Sequence, residues 1–301
     1  MKEGFLNKKN LQTGFTIFIT IGIFWYLFNN YSLIYNFELK NFDYFIYAVG
    51  IKSLNIFVIA YINLFAFLKL KTKISYTQTL KIHTFSLLGN FFSFAKSGTA
   101  YKAFILKKDF NLNLKEFSLF FILNQLIAVL SINLLSLIYF SNINLPEINL
   151  IFFRITIVLI LLIIAAAALF IPKGSFNLKS YSELINIKVL SIILICQTCS
   201  VFIVLMSNYF LSNSLGLNLI LSDNLIYSLI AISSLLLSIT PNALGIREII
   251  LVSFENIAQL STDALFTFSV ADRIADFTML IFACIFLLGK NLNLITSYFK
   301  K

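Results

Sequence analysis

Ser238-Ile-Thr-Pro-Asn-Ala-Leu-Gly-Ile-Arg-Glu-Ile-Ile-Leu251 lies in the middle of an apolar stretch of about 222–260, yet it carries Pro241, Gly245, Arg247 and Glu248. Proline removes a backbone donor, and glycine weakens a helix interior. A helix entering this stretch is therefore expected to break, with two charges just beyond the break. The surroundings make the break unusual. The chain is 59% hydrophobic and 12% charged, with a mean hydropathy of +0.90, whereas a soluble domain is about a quarter charged. Six segments, about 12–28, 44–68, 117–140, 148–171, 188–212 and 264–288, are apolar enough to read as full crossings of a hydrocarbon core ~30 Å thick. A second interrupted stretch covers about 83–106. The expected fold is an all-α membrane protein with about six full transmembrane helices plus two broken or re-entrant helical elements, forming one polytopic domain over 1–301.

Charge gives the topology. If each interrupted stretch enters and leaves on one side, Lys2, Lys8, Lys9, Lys69, Lys71, Lys73, Lys81, Lys107, Lys108, Lys115, Lys173, Lys179, Lys188, Lys290, Lys300 and Lys301 share a face with four acids, Glu3, Asp109, Glu116 and Glu183. The other face holds Lys40 against Glu38, Asp43, Glu147, Asp223, Glu255 and Asp263. The positive-inside rule then places both termini in the cytoplasm of a cell membrane, with anionic phospholipid attracted to the basic face. An even number of crossings within each interrupted stretch fits the charges equally well.

The two interrupted stretches resemble each other. Ser93-Phe-Ala-Lys-Ser-Gly-Thr-Ala-Tyr-Lys102-Ala-Phe-Ile-Leu106 aligns without gaps to Ser238–Leu251, matching Ser, the base, Ile and Leu, and each has a breaker just upstream of its base: Gly98 in one, Pro241 and Gly245 in the other. Each also lies between two full crossings, in halves of about 44–140 and 188–288, and the topology above gives the halves opposite orientations. That is an inverted repeat, an arrangement that places a polar site near the bilayer midplane. Irregular backbone at that depth must be buried in protein or line a wet cavity.

Nine charges fall at membrane depth: Lys52, Lys96, Lys102, Arg154, Arg247, Glu248, Asp272, Arg273 and Asp276. Such residues are costly and tend to be functional. Lys102, Arg247, Glu248 and Arg273 are the candidates for holding an anionic head group, with Gly98, Pro241, Gly245, Asp272 and Asp276 in support. Asp272 and Asp276 are four residues apart and share a helix face. The structural account of the same residues is a charge network, Arg247 and Glu248 with Asp272, Arg273 and Asp276, that ties the broken helix to the last crossing. Arg154 is placed to snorkel, and Lys52 either snorkels or pairs with an acid. His83 is the only histidine, which excludes His-based metal clusters, and Cys196, Cys199 and Cys284 read as small apolar filler. Trp25 reads as an interfacial anchor. No cofactor, metal-ligand spacing or nucleotide-cradling loop of the Walker type is found, and the expected ligand is a lipid rather than nucleic acid.

Pro241-Asn-Ala-Leu-Gly-Ile-Arg-Glu248 resembles the Pro-x-x-x-Gly-[Ile/Val]-x-Glu segment of the flippase-like membrane region of lysylphosphatidylglycerol synthases, and Arg273 falls on the Arg-bearing helix that follows it there. Ala95-Lys-Ser-Gly98-Thr-Ala-Tyr-Lys102 resembles the family's earlier Pro-x-x-x-Gly-x-x-x-Arg element, with Ala95 for Pro, Thr99 for an acid and Lys102 for Arg; Asn124-Gln125 stands where a Glu-Arg pair is common. The first half-site is thus less charged than in typical members. The resemblance, to a stand-alone member without the aminoacyltransferase domain, implies movement of a lipid between leaflets, or of a lipid-linked sugar, since some stand-alone relatives are associated with glycolipid or surface-polysaccharide assembly. An enzyme is not expected. The alternatives are a non-catalytic membrane partner of a glycosyltransferase or lipid-modifying enzyme, and a transferase using a polyprenyl-phosphate donor.

Overall fold

The computed structural model describes residues 39–70, 72–92, 96–141, 157–158, 186–217, 219–236, 246–253 and 261–289. The segment 12–28, and 148–171 apart from residues 157–158, lie outside them, as do Trp25, Arg154, Ala95, Pro241 and Gly245.

Eight helices, and no strand, are found among the described residues: α1 (Phe42–Lys69), α2 (Tyr76–Phe92), α3 (Ser97–Phe110), α4 (Leu114–Ser141), α5 (Ile187–Leu215), α6 (Leu221–Leu236), α7 (Ile246–Ser253) and α8 (Thr262–Gly289). Local chemistry sets several of the ends. Asn41 caps α1, its Oδ1 accepting from the backbone N–H groups of Asp43 at 3.1 Å and Tyr44 at 3.4 Å. Asp43 in the first turn and Lys69 in the last complement the helix dipole. Asn186 caps α5, and Gly216 ends it in the left-handed region at φ +70°.

Helices α1, α4 and α5 are long and apolar enough to cross a membrane. A 28-residue helix is about 42 Å long. Helix α8 has the same length, but Asp272, Arg273 and Asp276 interrupt its apolar run. Each expected interrupted stretch is a pair of shorter helices, α2 with α3 and α6 with α7.

In the first stretch the break falls earlier than Gly98. Helix α2 ends at Phe92, and α3 starts at Ser97 after Lys96, which adopts the left-handed conformation at φ +54°. Gly98 is the second residue of α3 and is helical. Its small size serves packing instead: a Cβ there would fall 1.9 Å from the carbonyl oxygen of Ser86 and 2.6 Å from the backbone nitrogen of Asn90. A Cβ on Gly89 would lie 2.8 Å from Gly98 Cα, so α2 and α3 meet backbone to backbone.

Helix α1 packs most extensively on α5. Helix α2 packs on α1 and α8, while α6 packs on α5 and α4. Helix α8 joins α1, and α4 joins α5. The interior keeps an apolar core but adds polar and charged side chains to it, and the surface is apolar. Lys52, Asn63, Gln197, Asn208, Arg247 and Asp272 are buried, while Ile195, Phe202, Phe282 and Ile285 point outward. An all-round apolar helix with its polar residues inward is built for lipid.

Candidate functional site

Polar side chains from both halves meet around a central cavity of about 330 Å3. Ionised groups from α1, α7 and α8 form one wall. Asp272 is the hub. One of its carboxylate oxygens accepts from Lys52, and the other from Arg247 at 2.7 Å. Lys52 Nζ also donates to Asp276 at 2.5 Å and to the Asp272 carbonyl at 3.0 Å. The i, i+4 spacing of the two aspartates presents both to one ammonium group, as their shared helix face requires. Tyr227 completes the cluster, its hydroxyl 3.3 Å from both Arg247 and Asp272.

Helix α7 is tied to α8 a second time, by Arg273 Nη2 and the Glu248 carboxylate at 2.7 Å, with Ser269 donating to the same carboxylate at 2.7 Å. Arg247 and Glu248 are adjacent, so they leave a short helix in different directions: Arg247 toward the cavity, Glu248 toward Arg273. Two crossed ion pairs thus fix eight residues that packing alone holds weakly.

The opposite wall, drawn from both halves, is built from carboxamides and hydroxyls. Asn90 Nδ2 donates to Thr99 Oγ1 at 3.1 Å, and its Oδ1 accepts from the Thr99 backbone N–H at 3.0 Å, which joins α2 to the head of α3. Gln197 donates to Asn124 at 2.7 Å, and Ser200 to Asn55 at 2.6 Å. Gln125, Asn208, His83 and Lys96 also line the space. Among the described lining residues, the cations are Lys52, Lys96 and Arg247, and the carboxylates are Asp272 and Asp276, a formal excess of one positive charge. Two buried atoms of the wall residues lack a partner, the donor Arg247 Nε and the acceptor Asn208 Oδ1. Each is costly to leave empty-handed in a dry interior.

The expected site residues are not all in one place. Arg247, Asp272 and Asp276 line the cavity. Glu248 and Arg273 pair beside it, and Gly98 packs against α2. Lys102 lies apart from the lining, donating to Asn63 Oδ1 at 2.5 Å, with its ammonium 5.6 Å from the centre of the Phe67 ring. Lys52 is paired rather than snorkelling. Of the carboxamides, the sequence singles out Asn124 and Gln125 through the resemblance; for the others the signal is spacing: Lys52 with Asn55 and Gln197 with Ser200 stand three apart in apolar runs, each pair on one helix face.

The family model of the lysylphosphatidylglycerol synthase TM region matches residues 14–284, which include both breaks and every residue of the site. The chain belongs to this family. Comparison with curated proteins and with solved structures finds no match. Family membership accords with the inward-facing polar cluster and supports a lipid-related role at the membrane.

Proposed function

We propose that this chain moves a lipid or lipid-linked sugar between leaflets, holding its anionic head group in the central cavity while the acyl chains stay in the bilayer. The observation that carries the reading is the cavity itself. It has the size of a small-molecule site, stands between helices that face lipid, and combines one excess positive charge with a ring of carboxamides. Carboxamides both donate and accept, which suits a hydroxyl-rich head group, and the excess charge suits a single phosphodiester.

The pairing of the helices supports two equivalent halves, to which the charge pattern gives opposite orientations. Exchanging α1–α4 for α5–α8 converts α4 against α6 into α8 against α2, α1 against α8 into α5 against α4, and α2 against α3 into α6 against α7; each of these contacts is present. Two halves of opposite orientation around one polar site provide for alternating access. In this reading the basic loops and both termini are cytoplasmic, the membrane is the cell membrane, and anionic phospholipid lines the basic face. The chain acts as a transporter rather than an enzyme: Asp272 and Asp276 are engaged by Lys52, so neither stands free as a catalytic acid or metal ligand.

The test is translocation of fluorescent lipid analogues in vesicles reconstituted with the purified chain. Arg247→Ala combined with Arg273→Ala is expected to slow transport about tenfold or more, equivalent to at least ~1.4 kcal/mol. Gln197→Leu, which removes only a carboxamide, should slow hydroxyl-rich cargo selectively. Wild-type rates in both variants sink the site assignment. A stable co-purifying membrane enzyme, with no transport by the isolated chain, would replace this reading by that of a non-catalytic partner.

A further inference from the structure

The central cavity continues sideways. Lys96, Thr99 and Phe121 line it and also line a second cavity of about 430 Å3 between α3 and α4. The remaining walls of the second cavity are almost wholly apolar, with Ala100 and Ala103 on α3 and Leu114, Phe117 and Ile122 on α4. Helices α3 and α4 touch only sparsely, and Ala100 and Leu114 are exposed, so the groove opens on the outer, lipid-facing surface. Lys96 stands at the junction, its ammonium 5.3 Å from the centre of the Phe121 ring. A polar chamber therefore passes into an apolar groove at one cation and one aromatic ring.

We propose that the two cavities form a single lipid path, in which the phosphate lies at Lys96, the rest of the head group enters the central cavity, and one acyl chain leaves through the α3–α4 groove into the bilayer. This rests on the head-group reading above and adds the route and the residue at its threshold. From Leu114 to Ile122 the groove wall runs about 12 Å along α4, from the basic end of the helices toward Lys96. Lys107, Lys108 and Lys115 flank the groove at the ends of α3 and α4, so an anionic lipid arriving from that leaflet meets basic residues first. The counterpart gap, between α7 and α8, is closed by the Arg273–Glu248 pair. Among the described residues, the path thus has one lateral door, between α3 and α4.

The test uses the wild-type chain in phosphatidylcholine vesicles containing a small fraction of phosphatidylglycerol that carries a diazirine in its acyl chain. After photolysis, adducts are mapped by mass spectrometry. Adducts concentrated at Ala100–Ala103 and Phe117–Ile122, removed by unlabelled phosphatidylglycerol but not by phosphatidylcholine, support the path. Lys96→Gln should lower the yield there several-fold, and Lys96→Arg should restore it. Adducts spread over outward residues such as Ile195 and Phe282 and indifferent to competitor, or a yield unchanged in Lys96→Gln, overturn it. Loss of the specific adducts with transport intact and sensitive to Arg247 removes the lateral path alone. Specific adducts without any transport keep the path as a lipid site and remove the translocation reading.

Discussion

The two breaks occupy equivalent places in their halves, each between two long helices, and they are held by opposite physics. At the first, α2 and α3 meet through Gly89 and Gly98, with Asn90 and Thr99 adding neutral hydrogen bonds. At the second, α7 is tied to α8 by Arg247–Asp272 and Arg273–Glu248, and Asp272 carries the tie on to α1 through Lys52. Close backbone contact is short-ranged and intolerant of added volume. Ion pairs in a low-dielectric interior tolerate small shifts but not the loss of a partner. The first break should therefore be sensitive to size, and the second to charge.

The largest effect is expected at Asp272. Asp272→Asn keeps the shape but leaves Arg247 without its carboxylate and Lys52 with Asp276 alone. Removing one member of a buried pair costs roughly 3–5 kcal/mol because the other charge is stranded. Unfolding of the purified chain in mixed micelles by increasing detergent denaturant should show a loss of that size. Arg247→Met together with Asp272→Leu should recover much of it, since a pair deleted whole strands one charge fewer. A single-variant loss below about 1 kcal/mol would show that charge does not hold the second break.

Gly98→Ala comes next. In an open helix position alanine is favoured over glycine by about 1 kcal/mol. At Gly98 the added methyl meets a carbonyl oxygen at 1.9 Å, and neither α2 nor α3 can yield by a side-chain rotation. The expected outcome is a net loss of about 1–3 kcal/mol by overpacking. Gly50, in α1, has no atom within 4 Å of a built Cβ, and Gly50→Ala serves as the control of opposite or zero sign. Equal behaviour of the two variants in the same denaturant titration would refute a size-limited first break.

The asymmetry explains what the sequence disclosed and what it withheld. Long apolar runs marked α1, α4, α5 and, despite its three central charges, α8 to within about three residues at each end, because lipid demands length and hydropathy and little else. The charge network was legible too: ionised residues at membrane depth must find partners, and Arg247, Glu248, Asp272, Arg273 and Asp276 had few others within reach. The place of the first break was not legible. Gly98 reads as a helix breaker by propensity, yet tertiary contact with Ser86 and Asn90 uses it as a spacer, and the turn falls at Lys96, a residue with no intrinsic preference for the left-handed region. The carboxamide wall was hidden for a related reason. A lone Asn or Gln in an apolar run costs little enough to pass as packing, and only the bundle shows that Asn55, Asn124, Gln197 and Asn208 converge.

Asn90 supplies the smallest of the three effects and the most discriminating. It is half-buried and joins α2 to α3 by neutral bonds, and the Thr99 N–H it receives keeps a second acceptor in the Lys96 carbonyl at 2.9 Å. Asn90→Ala is therefore expected to cost only about 1 kcal/mol in the micelle titration. Its consequence for the proposed transport should be out of proportion to that, because Asn90 and Thr99 both face the cavity beside Lys96. With Asn90 gone, the head of α3 loses the bond that sets Lys96 at the junction of the two cavities. Translocation of an anionic lipid analogue should fall several-fold while the chain remains folded. A stability loss as large as that of Asp272→Asn would mean that polar bonding, not close contact of glycine backbones, holds the first break, and the contrast between the two breaks would reduce to one of charge alone.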